Sequence, residues 1–124
     1  MEKPRVEEVL MQMEKNMGEK PKPMIALAKC IPEMVIKQAE DSKFVMELPS
    51  IPAKYKNLIM MAVAAATASS KAASVFGMMA KRSGASKEEI AEAIIVARMA
   101  LANTVLLNSS EALEQAASVE GETP

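Results

Sequence analysis

The sequence predicts an all-α fold. No stretch alternates apolar and polar residues for long enough to read as a strand. Apolar residues instead recur three and four positions apart along most of the chain. Gly, Pro and Ser punctuate these stretches where helices start and stop. At 124 residues and 50% hydrophobic, the chain suits a single domain over residues 1–124. About five or six helices are expected, with a central antiparallel pair packed through Ala and Met.

Val6, Leu10, Met13 and Met17 share one face, so residues 5–17 should form an amphipathic helix that Gly18 ends. Lys20-Pro21-Lys22-Pro23 reads as an extended connection. A second helix starts near Pro23 with Ile25, Leu27, Ala28 and Cys30. Pro32 lacks a backbone donor, so this helix either kinks there or stops while another begins. Met34, Val35 and Ala39 carry the pattern to about Asp41. Leu48-Pro49-Ser50-Ile51-Pro52 is the clearest break and reads as a loop within the domain.

From Pro52 to Thr67 the chain is strongly apolar and helical. Ser69 is a plausible N-cap for a following helix to Arg82, although the two segments also read as one bent helix. Gly84 is a helix stop, and Ser86-Lys87-Glu88-Glu89 forms a capping box for the next helix. That helix runs from Lys87 to about Asn108. It carries one stripe of Ile90, Ile94, Ala97, Leu101 and Val105, and a second of Ile95, Met99, Ala102 and Leu106. Two stripes exceed what a chain this small can cover, so contact between subunits is expected. Arg98 lies between the stripes, as a snorkelling cation or an interface ion-pair partner. Asn108 or Ser109 caps a short helix from Glu111 to about Ser118, and the tail from Glu120 to Pro124 should fray. The domain thus divides into N-terminal helices (5–47), a core (48–107), and a short helix with its tail (108–124).

Composition excludes several chemistries. The chain has no His and no Trp, and Cys30 is its one cysteine. One chain therefore cannot build a Ser-His-Asp triad, a His-ligated zinc or haem site, or an internal disulfide. No metal site and no cofactor are expected. The net charge is −1, and residues 1–56 carry ten basic and nine acidic side chains. No Lys/Arg cluster marks a nucleic-acid binder, and Phe44, Tyr55 and Phe76 are too scattered to stack bases. The longest apolar run, Leu58 to Ala68, falls short of the about 20 residues that span a membrane. The start leads into charged residues rather than an apolar signal core. These features point to a cytoplasmic protein with neither nucleic-acid nor membrane partners. The twelve Met residues read as gap fillers between Ala-lined helices rather than as a cuprous-ion site, because Met11 and Met13 diverge on a helix.

The stretch from Ile51 through Pro-Ala-Lys-Tyr-Lys-Asn-Leu-Ile-Met-Met-Ala, then Gly84-Ala-Ser-Lys-Glu-Glu-Ile-Ala-Glu-Ala93, resembles the carboxymuconolactone decarboxylase family. Within it the likeness is to the alkylhydroperoxidase-like (AhpD-like) branch, over roughly Leu48 to Leu107. The resemblance implies a helical fold, assembly as trimers or hexamers, and a redox motif Glu-x11-Cys-x2-Cys-x3-His. Counting back from Gly84, the His position falls at Phe76, the two Cys positions at Ala72 and Ser69, and the Glu position at Asn57. All four functional residues are absent. A Ser hydroxyl has no thiolate chemistry and no oxidation ladder, Phe76 moves no proton, and Asn57 is no base. The resemblance therefore implies antioxidant peroxiredoxin-type activity, while these residues argue against it.

The emptied site keeps polar candidates for a small-molecule or anionic ligand: Asn57, Ser69, Ser70, Lys71 and Glu92. Three functions compete. The first is a family scaffold that has lost peroxidase and decarboxylase activity, with an oligomeric body and a retained pocket. The second is an enzyme working through Cys30, or through carboxylate chemistry at Glu92. The third is a structural or partner-binding oligomer. Cys30, among Ile25, Leu27 and Ile31, reads first as a buried small hydrophobe.

Overall fold

The computed structural model describes residues 5–119. Among these residues the chain is built from helices alone: α1 (Val6–Met17), α2 (Lys22–Cys30), α3 (Pro32–Glu47), α4 (Ala53–Ala66), α5 (Ser70–Arg82), α6 (Lys87–Asn108) and α7 (Ser110–Val119). The fraying tail expected from Glu120 to Pro124, and the first four residues, lie outside this range.

The all-α class holds, but the described residues form seven helices rather than five or six. Both open alternatives resolve toward two helices. Ile31 leaves the helical region (φ −140, ψ 81), and Pro32 opens α3 at its first position, where a missing N–H costs nothing. Between α4 and α5, Ala68 takes a left-handed conformation (φ 64) and turns the chain back. The second boundary to move is the end of α3, which continues past Asp41 to Glu47. The real stop is Pro49, which holds Leu48 extended (φ −57, ψ 134). Lys56 secures this end, its ammonium donating to the carbonyls of Met46 (2.9 Å) and Leu48 (2.6 Å).

The central pair is α4 and α5. They run antiparallel, since Asn57 near the start of α4 meets Met79 and Ser83 at the end of α5. Leu58, Met61, Ala80 and Ala85 form the buried cluster, with Phe76, Ile90 and Ala93 packed against it. Small residues let the helices approach, and Met61 lies where a Cβ on Gly77 would come within 3.3 Å of its sulfur. A smaller core under α1–α3 centres on fully buried Val35, with Val9 nearly so. Full burial of one such side chain contributes about 1.5–3 kcal/mol. Gly18 closes α1 at φ 80, its N–H donating to Glu14 (2.9 Å). The Arg82 guanidinium donates to the Asn16 carbonyl (2.8 Å), tying the ends of α1 and α5 together.

The capping box forms as expected: Glu89 N–H donates to Ser86 Oγ (3.0 Å), and Ser86 N–H to Glu89 Oε1 (2.9 Å). It starts a helix with no buried residue at all. Ile94, Ile95, Val96, Met99, Leu101, Val105, Leu106 and Leu107 are all exposed. By length and composition α6 is also apolar enough to cross a membrane, which corrects the reading taken from the longest apolar run. That reading sought an unbroken run, and Arg98, Asn103 and Thr104 interrupt α6 without making it polar.

The chain exposes 9521 Å². A compact monomer of 13.3 kDa exposes about 6,500 Å². Leaving the nine terminal residues out of both figures, at most about 1,450 Å² from the exposed area and with the compact reference falling to about 6,100 Å², still leaves an excess of about 2,000 Å².

Candidate functional site

Ser69, Ala72 and Phe76 follow one another at helical spacing, so they share one face of α5. The turn before them sets that face: Ser69 N–H donates to the Ala64 carbonyl (2.9 Å), and Ala73 N–H donates to Ser69 (2.9 Å). Ser69 occupies the N-cap position, but its hydroxyl makes no capping bond.

These three residues form the wall common to two cavities. One, of about 610 Å³, lies between α5 and the α1–α2 connection and is lined also by Met17, Glu19, Lys20, Lys22, Pro23, Lys71, Val75 and Met79. The other, of about 380 Å³, lies against α4 and is lined by Ile59, Met60, Val63, Ala64 and Thr67. A third, also about 610 Å³, opens on another face of α5, where Ser70, Ser74 and Gly77 meet Met61 of α4 and Ile90 and Ile94 of α6.

The five ligand candidates from the sequence are thereby divided. Ser69 and Lys71 share the first cavity, while Ser70 lines the third. Lys71 is already paired, its ammonium 2.9 Å from the Glu19 carboxylate on the exposed surface. Glu92 is exposed on α6 and lines none of the cavities described.

Asn57 lies apart, 2% exposed between α4 and the far end of α5. Its amide donates to Ser83 Oγ (3.0 Å) and makes a long contact to the Met79 carbonyl (3.5 Å), while the Ser83 hydroxyl donates to Met79 (2.9 Å). The Asn57 carbonyl oxygen is buried without a partner. From Ser69 to Met79 is about 15 Å of helix rise, so Asn57 and Ser69 do not converge on one ligand atom.

Cys30 is exposed at the last position of α2, which corrects its reading as a buried hydrophobe. The helix ends beside it, at the turn into Pro32, and the residue stays exposed there. Arg98 is likewise exposed and makes no ion pair among the described residues.

One polar pair fixes the foot of α6. Lys54 on α4 lies 3.1 Å from Glu89, with its ammonium also 4.8 Å from the Tyr55 ring centroid. The Ser86 N–H, and then Lys54, hold the Glu89 carboxyl below the usual carboxylate range, and Glu89 in turn raises Lys54.

Sequence reasoning missed Glu19, Lys20 and Lys22. Their signal was present in the Lys-Pro-Lys-Pro connection, whose prolines fix where the lysines project.

A family model described as the carboxymuconolactone decarboxylase family matches residues 37–115. No curated protein matches the chain.

Proposed function

The chain belongs to the carboxymuconolactone decarboxylase family, and from that premise we propose that it is a cytoplasmic member of the alkylhydroperoxidase-like branch without thiol peroxidase or decarboxylase activity. It acts as a homo-oligomeric helical scaffold, a trimer or hexamer, with a small-molecule pocket.

The occupancy of one face of α5 carries this reading. Ser69, Ala72 and Phe76 stand where the branch has its two cysteines and its histidine, and all three line cavities. The resulting wall is a hydroxyl, a methyl and a phenyl ring, and it contains no thiolate to attack a peroxide and no imidazole to relay a proton. Asn57, at the glutamate position, spends its amide on the α5 end. The site has room for a molecule but no means of this redox chemistry.

The excess of about 2,000 Å² supports self-association, because a standard interface takes about 800 Å² from each partner. The exposed residues of α6 and the groove beside Gly77 supply apolar surface for it. Arg98, midway along α6, argues for a second copy over a bilayer, where a central Arg costs about 2.5–3.5 kcal/mol or more. Exposed Cys30 favours a second reading, a peroxidase using that thiol with an external reductant.

Hydroperoxide turnover with a dithiol reductant, measured beside the native mass, tests these readings. The expected result is no turnover above the uncatalysed rate, and a mass three or six times 13.3 kDa. Turnover lost in Cys30→Ser would establish the second reading. Turnover retained in that variant would overturn the first. A mass of 13.3 kDa at micromolar concentration would overturn the oligomer.

A further inference from the structure

We propose that the cavity between α5 and the α1–α2 connection binds a small carboxylate with a linear apolar tail. This deepens the pocket assigned above and rests on that reading.

The cavity's volume of about 610 Å³ falls within the range of small-molecule sites. Its walls are apolar, from Met17, Ala72, Phe76 and Met79, and two of these are flexible thioethers that adapt to a chain. Lys20 and Lys22 line it as well, and neither has a carboxylate within ion-pair distance among the described residues. Lys71 is already held by Glu19, so the lining keeps a net excess of two positive charges.

The two free lysines are preorganised. Pro21 between them is buried, at φ −78 and ψ 74, and Lys22 N–H donates to the Lys20 carbonyl at 2.9 Å. That is an inverse γ-turn, locked by the proline ring. It holds the two side-chain origins at a fixed spacing beside an apolar cavity. Two ammonium groups suit a carboxylate head, which accepts charge-assisted hydrogen bonds at both oxygens. The tail would lie along Ala72, Phe76 and Met79 within the same cavity. A bare phosphate would meet the lysines but leave the apolar walls unused.

The test uses the full-length protein with ¹³C-methyl methionine, titrated at low salt with octanoate, 1-octanol and inorganic phosphate in separate samples. The Met17 and Met79 methyl signals should shift saturably with octanoate, while those of Met11 and Met99 stay in place. Octanol should bind about fivefold more weakly, on the scale of exposed charge pairs. Phosphate should leave Met17 and Met79 unmoved. The double variant Lys20→Gln, Lys22→Gln should weaken octanoate about fivefold and leave octanol unchanged. Glu19→Gln should tighten octanoate about twofold by removing the one nearby negative charge. Glu19 and Lys20 lie in the connection and Lys22 at the first position of α2, outside the buried cluster, so the helical core remains as a folding control.

Equal affinity for octanol and octanoate, indifference of octanoate to the double variant, or phosphate binding as tight as octanoate would overturn the assignment. Hydroperoxide turnover read on the same samples separates the two proposals. No turnover with Met17 and Met79 unmoved by octanoate overturns the ligand and leaves the loss of thiol chemistry standing.

Discussion

The two ends of α6 are made of similar residues and sit in opposite environments. At its foot, Ile90 and Ala93 pack on Leu58, Met61, Ala80 and Ala85, while the capping box and Lys54 fix where the helix starts. Farther along, Leu101, Val105, Leu106 and Leu107 are exposed. The foot is closed by the chain itself. The far end is apolar and uncovered, the surface that the proposed oligomer would bury. Hydrophobicity along this helix is therefore met by the fold at one end and left exposed at the other.

The sharpest way to break this comparison is to place a charge at the far end. Leu101→Glu should abolish the oligomer, because burying an unpaired carboxylate there costs about 3 kcal/mol or more. Light scattering should read a fall to 13.3 kDa, with a lower melting temperature. An unchanged mass would show that the far end is not the interface.

The next largest effect concerns the closed region. Asn57→Asp puts a carboxylate where the native carbonyl oxygen already lacks a partner, and should destabilise the fold by about 2–4 kcal/mol at neutral pH. Burial would push this new carboxyl up. Its penalty should then be absent below the unfolded carboxyl range and grow as pH rises above it. Urea melts of variant and parent at pH 4 and pH 7 check the sign, and a gap that does not widen with pH would mean the region is not dry.

Ala68→Gly sharpens the same region from its turn. Relieving the left-handed alanine, less the added freedom of the unfolded chain, should stabilise by about 0.5–1 kcal/mol. Thermal melts at one protein concentration read this, and a destabilised variant would show that the turn stores no strain.

The smallest effect is at the foot. Glu89 has a lowered carboxyl pKa in the folded state, so its contribution is present above the unfolded value and lost as pH falls through the folded one. Stability of the parent over Glu89→Gln should shrink as pH drops below the ordinary glutamate range. A difference constant with pH would remove the Lys54 pair from the account.

Much of the fold was legible because local rules decided it. Gly18, Pro32 and Ser86 each act within one helical turn, and each ends or starts a helix as its chemistry requires. The end of α3 was not legible, because Lys56 secures it from ten residues away. For the site, the family resemblance singled out Ser69, Ala72 and Phe76, which α5 then places on one face. It could not reveal that Glu19, Lys20 and Lys22 close a cavity over that face, since this depends on how α1 returns to α5 through Arg82 and Asn16. Cys30 was misread because its apolar neighbours do not bury the last position of α2, where the chain turns into Pro32.

The capping box at Ser86 has a mechanical consequence. α6 is about 33 Å long and is gripped only over its first turns, so it behaves as a lever. A tilt of about 5° at the foot moves the tip by about 3 Å, enough to shift side chains out of register against a close-packed surface. The Lys54–Glu89 pair adds little to stability, yet it sits at the fulcrum. Its removal should therefore be felt less in the melting temperature than in the geometry of the proposed oligomer.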